Sequence, residues 1–145
     1  NDVFKKIGFD KNQDFVVLTD KGGLARYDGI AKNITYFNKE RDLQTGLIIK
    51  QEMASKIDVN KKIIIVDDII STGDTIVGII DYLRKLGAKQ IYVLSGHIEN
   101  NKFNKRIEQF EEVKFIFSTN SLKKKGTKKI KLFDLSEVYY GKRNH

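Results

Sequence analysis

Short continuous apolar runs alternate along this chain with stretches in which apolar residues recur every three or four positions. Phe15, Val16, Val17 and Leu18 form the first run, flanked by Asp14 and Thr19, and the Gly22-Gly23 pair behind it marks a tight turn. The spacing predicts a helix over 24–32, a short strand over 34–37 and a mobile loop over 38–46, where NKERDLQTG mixes charge, Gln, Thr and Gly. The strongest strand pattern is Ile63, Ile64, Ile65 and Val66, a β-branched run of the kind buried on both faces of a parallel sheet, and so the expected central strand. From Thr75 the period changes. Ile76, Ile79, Ile80, Leu83 and Leu86 share one helix face, and Gly87 supplies the stop. A strand over 91–94, a helix over 104–110 and strands over 113–117 and 130–135 complete the pattern. Strands alternating with helices, joined by long connections, predict an α/β fold: a mainly parallel sheet flanked by helices.

A length of 145 residues suits one compact domain over 1–145 and is short for two. Composition narrows the chemistry. There is no Cys, which removes disulfides, thiolate zinc sites and cysteine nucleophiles and agrees with a reducing, cytoplasmic setting. No run of 18 apolar residues is present to span a membrane, and NDVFKKIGFD lacks the apolar centre of a signal peptide. The first residue is Asn, which suggests part of a longer protein. With 27 basic residues against 19 acidic ones the net charge is +8, which favours anionic partners. Only five of the 27 are Arg, which argues against base-reading nucleic-acid recognition, where the Arg fork is favoured. Pro is absent, so turns rest on Gly, Asn, Asp and Ser.

The segment IIIVDDIISTGDTI, residues 63–76, concentrates the candidate chemistry. A buried strand ends in Asp67 and Asp68, two apolar residues follow, and Ser71, Thr72, Gly73, Asp74 and Thr75 open a helix. Successive backbone N–H groups and three hydroxyls at a helix N-terminus favour a phosphate. Gly73 lets the backbone turn tightly beside the anion. Carboxylates at a strand's C-terminal end can accept hydrogen bonds from a vicinal diol or hold a hydrated magnesium ion. Phosphate on the loop and hydroxyls on the acids describe a ribose 5-phosphate. The plainer alternative is an ordinary helix cap, with Ser, Thr and Asp satisfying the first N–H groups.

This segment resembles the phosphoribosyl diphosphate (PRPP) motif of the type I phosphoribosyltransferase fold. Together with VVLTDKGGLAR, NKERD, GAKQIYVLSGH and STNSL, in that family's order and spacing, it is similar to the C-terminal half of the ribose-phosphate diphosphokinases. The resemblance implies that Lys39 and Arg41 are catalytic and stabilise the transition state, and that Asp20 helps to hold Mg2+. It further implies that Asp67, Asp68, Ser71, Thr72, Gly73, Asp74 and Thr75 bind ribose 5-phosphate. ATP would be the second substrate and PRPP the product, in a homo-oligomer without nucleic-acid or membrane partners. A Lys-x-Arg pair on a closing loop suits this reaction, because charge builds up as the ribose 1-hydroxyl attacks the β-phosphorus of ATP.

Some features depart from the family. Asp42, Leu43, Gln44 and Thr45 stand where its loop carries Pro and Asn, and Glu40 replaces a frequent basic residue. The family's other half, which supplies a His and much of the ATP site, has no room here. Two rivals follow from the same residues: a free-standing phosphoribosyltransferase that consumes PRPP, and a catalytically silent PRPP-sensing or nucleic-acid-binding module. His97 reads as a structural strand-end residue. The cluster Lys123, Lys124, Lys125, Lys128, Lys129 and Lys131 reads as a solvated loop or an anion contact, and Tyr139 and Tyr140 as packing or oligomer residues.

Overall fold

A computed structural model describes residues 2–99, 102–119 and 129–133. Its elements are α1 (Asp2–Ile7), β1 (Phe15–Leu18), α2 (Gly23–Tyr27), β2 (Asn33–Arg41), β3 (Ile48–Met53), β4 (Ile63–Ile70), α3 (Asp74–Lys85), β5 (Ile91–Ile98), α4 (Lys102–Glu108), β6 (Val113–Thr119) and β7 (Ile130–Phe133). The strands form one seven-stranded sheet in the order β3-β2-β1-β4-β5-β6-β7. Every pairing is parallel except the antiparallel β2–β3 pair at one edge.

The apolar run of β4 lies at the centre, between β1 and β5, as its pattern predicts. Its side chains divide by the two-residue period of a strand. Ile63 and Ile65 join α3 and α4 on one face, packing with Ile76, Ile79, Ile80, Leu83, Phe103 and Ile107. Ile64 and Val66 face the other way, toward Val3, Phe4 and Ile7 of α1 and Leu24 and Tyr27 of α2. At the N-terminal edge the buried Asp14 ties β1 to β4: its carboxylate accepts the backbone N–H of Lys62 at 3.0 Å and that of Asp10 at 2.7 Å.

Three expectations change. The loop expected over 38–46 is shorter, because β2 runs on to Arg41 and pairs with β3, Lys39 opposite Gln51 and Glu40 opposite Lys50, which leaves the turn to residues 42–47. A strand this polar persists because its backbone groups find partners across the hairpin. The turn is built by Asp42, whose carboxylate accepts the N–H of Gln44 at 2.8 Å and of Thr45 at 2.9 Å, and by Gly46 at φ 73°. Those bonds hold the Asp42 carboxyl below its ordinary pKa. The helix expected over 24–32 is the single short turn of α2, and β4 continues through the two aspartates to Ile70. Neither α1 nor β3 is foreseen from the pattern. Strand residues 134–135, Lys123 to Lys128, Tyr139 and Tyr140 lie outside the described residues.

Of the Lys cluster, two members have defined places. Lys129 donates to the carbonyls of Phe110 at 2.5 Å and Glu108 at 3.4 Å, which closes the C-terminal end of α4, and burial lowers its pKa. Lys131 lies over the Phe115 ring, 5.8 Å from its centroid. Among the described residues no helix is long and apolar enough to cross a membrane.

Candidate functional site

The C-terminal ends of β1, β2 and β4 converge with the start of α3. This is the edge where ligands bind in open α/β sheets. Residues 71–73 leave β4 and turn into α3, and Gly73 at the N-cap has φ 86° and ψ 4°, a left-handed conformation that glycine adopts without strain. A Cβ at this position would also lie 2.2 Å from Cδ1 of Phe103 on α4. Ser71, Thr72 and Asp74 are exposed and Thr75 is half-buried, so the loop offers polar groups to solvent above an apolar base.

Lys39 reaches this loop from β2, its Nζ donating to Thr75 Oγ1 at 3.4 Å. Burial lowers the Lys39 pKa, while Asp20 and Asp67 raise it and Arg41 lowers it further. The opposite shift occurs at Asp67. Burial raises its pKa against a hydrogen bond from Thr19 and the charge of Lys39. Asp20, Lys39 and Asp67 therefore lie within each other's fields, although the chain separates them widely. Among the described residues no group of three or more His, Asp or Glu is gathered as a metal cage. Asp20 acts on Asp67 through its charge, so these two carboxylates are the groups that would hold a Mg2+ ion, which binds through one or two carboxylates and keeps several waters.

Arg41 sits at the hairpin turn, where its Nη1 donates to Gly46 O at 3.0 Å. Together with Leu47, Ile48, Asp67, Ile69 and residues 70–76 it lines an open cavity of about 450 Å³. A smaller pocket of about 90 Å³ lies beside it, lined by Thr19, Asp20, Arg26, Tyr27, Asp67 and Asp68.

The two aspartates are not equivalent. Asp68 is held by α2: Arg26 pairs with its Oδ2, and the Tyr27 hydroxyl donates to Oδ1 at 2.7 Å. Asp67 uses one oxygen to accept the Asp68 N–H at 2.8 Å. Across the sheet Gly96 of β5 is small for a reason, since a Cβ there would lie 2.7 Å from the Asp68 carbonyl oxygen. Sequence reasoning passed over Arg26, Tyr27 and Gly96. It also passed over Arg106 of α4, whose Nη1 donates to Thr72 O at 3.2 Å and Asp74 Oδ1 at 2.6 Å. The run GGLARY after Asp20 places Arg26 and Tyr27 a turn beyond the glycine pair. Nothing local to Arg106 marks it.

Residues 2–125 match the phosphoribosyl transferase domain family. The chain belongs to that family. As a phosphoribosyl transferase domain it is 30% identical over 142 residues to the ribose-phosphate pyrophosphokinase of Sulfolobus acidocaldarius, a match covering 94% of this chain and 48% of that one. It is 36% identical over 118 residues to the pyrophosphokinase of Thermoplasma volcanium, covering 78% and 41%. The domain thus spans less than half the length of these relatives. In fold it matches the phosphoribosylpyrophosphate synthetase of Mycobacterium smegmatis with a TM-score of 0.73 at 20% identity, over 98% of this chain and 48% of that one. A purine phosphoribosyltransferase from Pyrococcus horikoshii shares the fold at a TM-score of 0.51 and 17% identity. The type I phosphoribosyltransferase architecture expected from the sequence is therefore present.

Proposed function

We propose that this domain is one half of a ribose-phosphate pyrophosphokinase, which moves the diphosphoryl group of ATP onto ribose 5-phosphate and releases AMP and PRPP. The observation that carries the reading is the approach of Lys39 to Thr75, which sets a cation beside a loop suited to phosphate and across from Asp20 and Asp67.

The loop residues Ser71, Thr72, Gly73, Asp74 and Thr75 hold the 5-phosphate with backbone N–H groups and hydroxyls. Asp67, directed into the same cavity, accepts hydrogen bonds from the ribose hydroxyls. Asp68 stabilises the acid pair through Arg26 and Tyr27, and it meets the sugar only where those partners yield an oxygen. When the ribose 1-hydroxyl attacks the β-phosphorus, Lys39 offsets the charge that develops on the transferring group, and Arg41 closes over it from the hairpin. Mg2+, when bound at Asp20 and Asp67 with substrate oxygens, supplies further charge neutralisation. The remaining ATP contacts belong to the other half of the enzyme, which works as a homo-oligomer in the cytoplasm.

The test is to supply the full-length protein with ATP, ribose 5-phosphate and Mg2+ and to measure AMP. Formation of AMP and PRPP in equal amounts supports the proposal. Release of pyrophosphate from PRPP with a nucleobase, and no AMP, would favour a PRPP-consuming transferase. Loss of both activities with PRPP binding retained would point to a silent sensor.

A further inference from the structure

Helix α4 lies outside every motif of the site, yet it touches the phosphate loop at two points three residues apart on one helix face. Phe103 fills the space beside Gly73, and Arg106 bonds both Thr72 O and Asp74 Oδ1. The second contact bears on charge. Asp74 stands in the first turn of α3 with its carboxylate exposed, at the helix end that would receive a phosphate dianion. An unpaired carboxylate there repels the dianion and offsets the favourable helix end. The Arg106 guanidinium compensates that charge, and its hydrogen bond draws the Asp74 carboxyl below its ordinary pKa. The Thr72 carbonyl, bonded to the same nitrogen, is turned toward α4.

We infer that Arg106 is a positioning residue of the sugar-phosphate site: it neutralises Asp74 and anchors the Thr72 carbonyl, so that a loop carrying an acid can still bind a phosphate dianion. The inference rests on the assignment of residues 71–75 to the sugar phosphate. It also accounts for one of the five Arg in a Lys-rich chain, because one planar fork serves both a carbonyl and a carboxylate, which a lysine ammonium does less well.

Calorimetric titration of the full-length protein with ribose 5-phosphate, and separately with inorganic phosphate, tests it in wild type, Arg106→Gln, Arg106→Lys, Asp74→Asn and the Asp74→Asn/Arg106→Gln double variant. Arg106→Gln should weaken both ligands by roughly ten-fold while melting within a few degrees of wild type, since Arg106 is only half-buried and its partner Asp74 is exposed. Arg106→Lys should fall between. Removing the Asp74 charge in the Arg106→Gln background should restore most of the lost affinity, a rescue that a purely structural contact would not show. Wild-type affinity in Arg106→Gln overturns the inference, as does a double variant that binds no better than Arg106→Gln. If wild type binds neither ligand, the loop assignment itself fails and this inference falls with it. Binding by wild type that survives in Arg106→Gln removes the Arg106 role alone.

Discussion

Lys39 Nζ lies 3.4 Å from Thr75 Oγ1, although the two residues are 36 positions apart in the chain and belong to different layers of the site. The contact joins the β2–β3 hairpin to the first turn of α3. Because the hairpin carries Lys39 and Arg41 on a paired strand, the cation is positioned by backbone hydrogen bonds.

Lys39→Ala should lower kcat of the full-length enzyme by about 10²- to 10³-fold, the scale of losing one charge-stabilising group in a transition state. Ribose 5-phosphate affinity, measured by titration, should change little. Unaltered turnover would remove Lys39 from the chemistry.

Asp67 is held in a form that costs stability. Its carboxyl pKa is raised, chiefly by burial, so the folded state is penalised for ionising it. The penalty is absent below the ordinary value near 3.8 and is reached in full once the pH exceeds the raised folded-state value. Asp67→Asn should therefore melt at a higher temperature than wild type at pH 7, and the gap should close as the pH is lowered toward 3.8. Ribose 5-phosphate binding should weaken in the same variant. A melting difference that stays constant with pH would show that the effect has another origin.

Tyr27→Phe removes the hydroxyl that Asp68 accepts at 2.7 Å and should cost about 1 kcal/mol in denaturant unfolding. KM for ribose 5-phosphate should rise with it, as the acid pair loses one of its two anchors. An unchanged KM would mean that Arg26 holds Asp68 by itself.

Gly73→Ala places a side chain at a positive φ and drives its Cβ against Phe103. The expected loss is about 1 to 3 kcal/mol of stability, together with loss of sugar-phosphate binding. A variant that keeps wild-type binding would contradict the tight seat of the loop on α4.

The parts of the fold that could be read from residues alone are those whose signal is local. Ile63 to Val66 form an uninterrupted β-branched run because both faces of β4 are buried, and Ile76, Ile79, Ile80 and Leu83 repeat with the helix period because one face of α3 is buried against that sheet. Asp67, Asp68 and the 71–75 turn join these two elements directly, so strand end, acids and loop appear together in one stretch. The hairpin was hidden for the opposite reason. Asn38, Lys39, Glu40 and Arg41 carry no apolar alternation, because this edge ribbon is stabilised by its partner strand and by the Asp42 turn, neither of which leaves a hydrophobic pattern. Residue order along the chain was thus enough to define the 71–73 turn, the central strand and the helix behind them. Folding alone decided which groups stand around that loop: Lys39 at Thr75, Arg26 and Tyr27 at Asp68, and Arg106 at Asp74. Each of these pairs joins separate secondary elements whose packing, not their local sequence, brings the charges together.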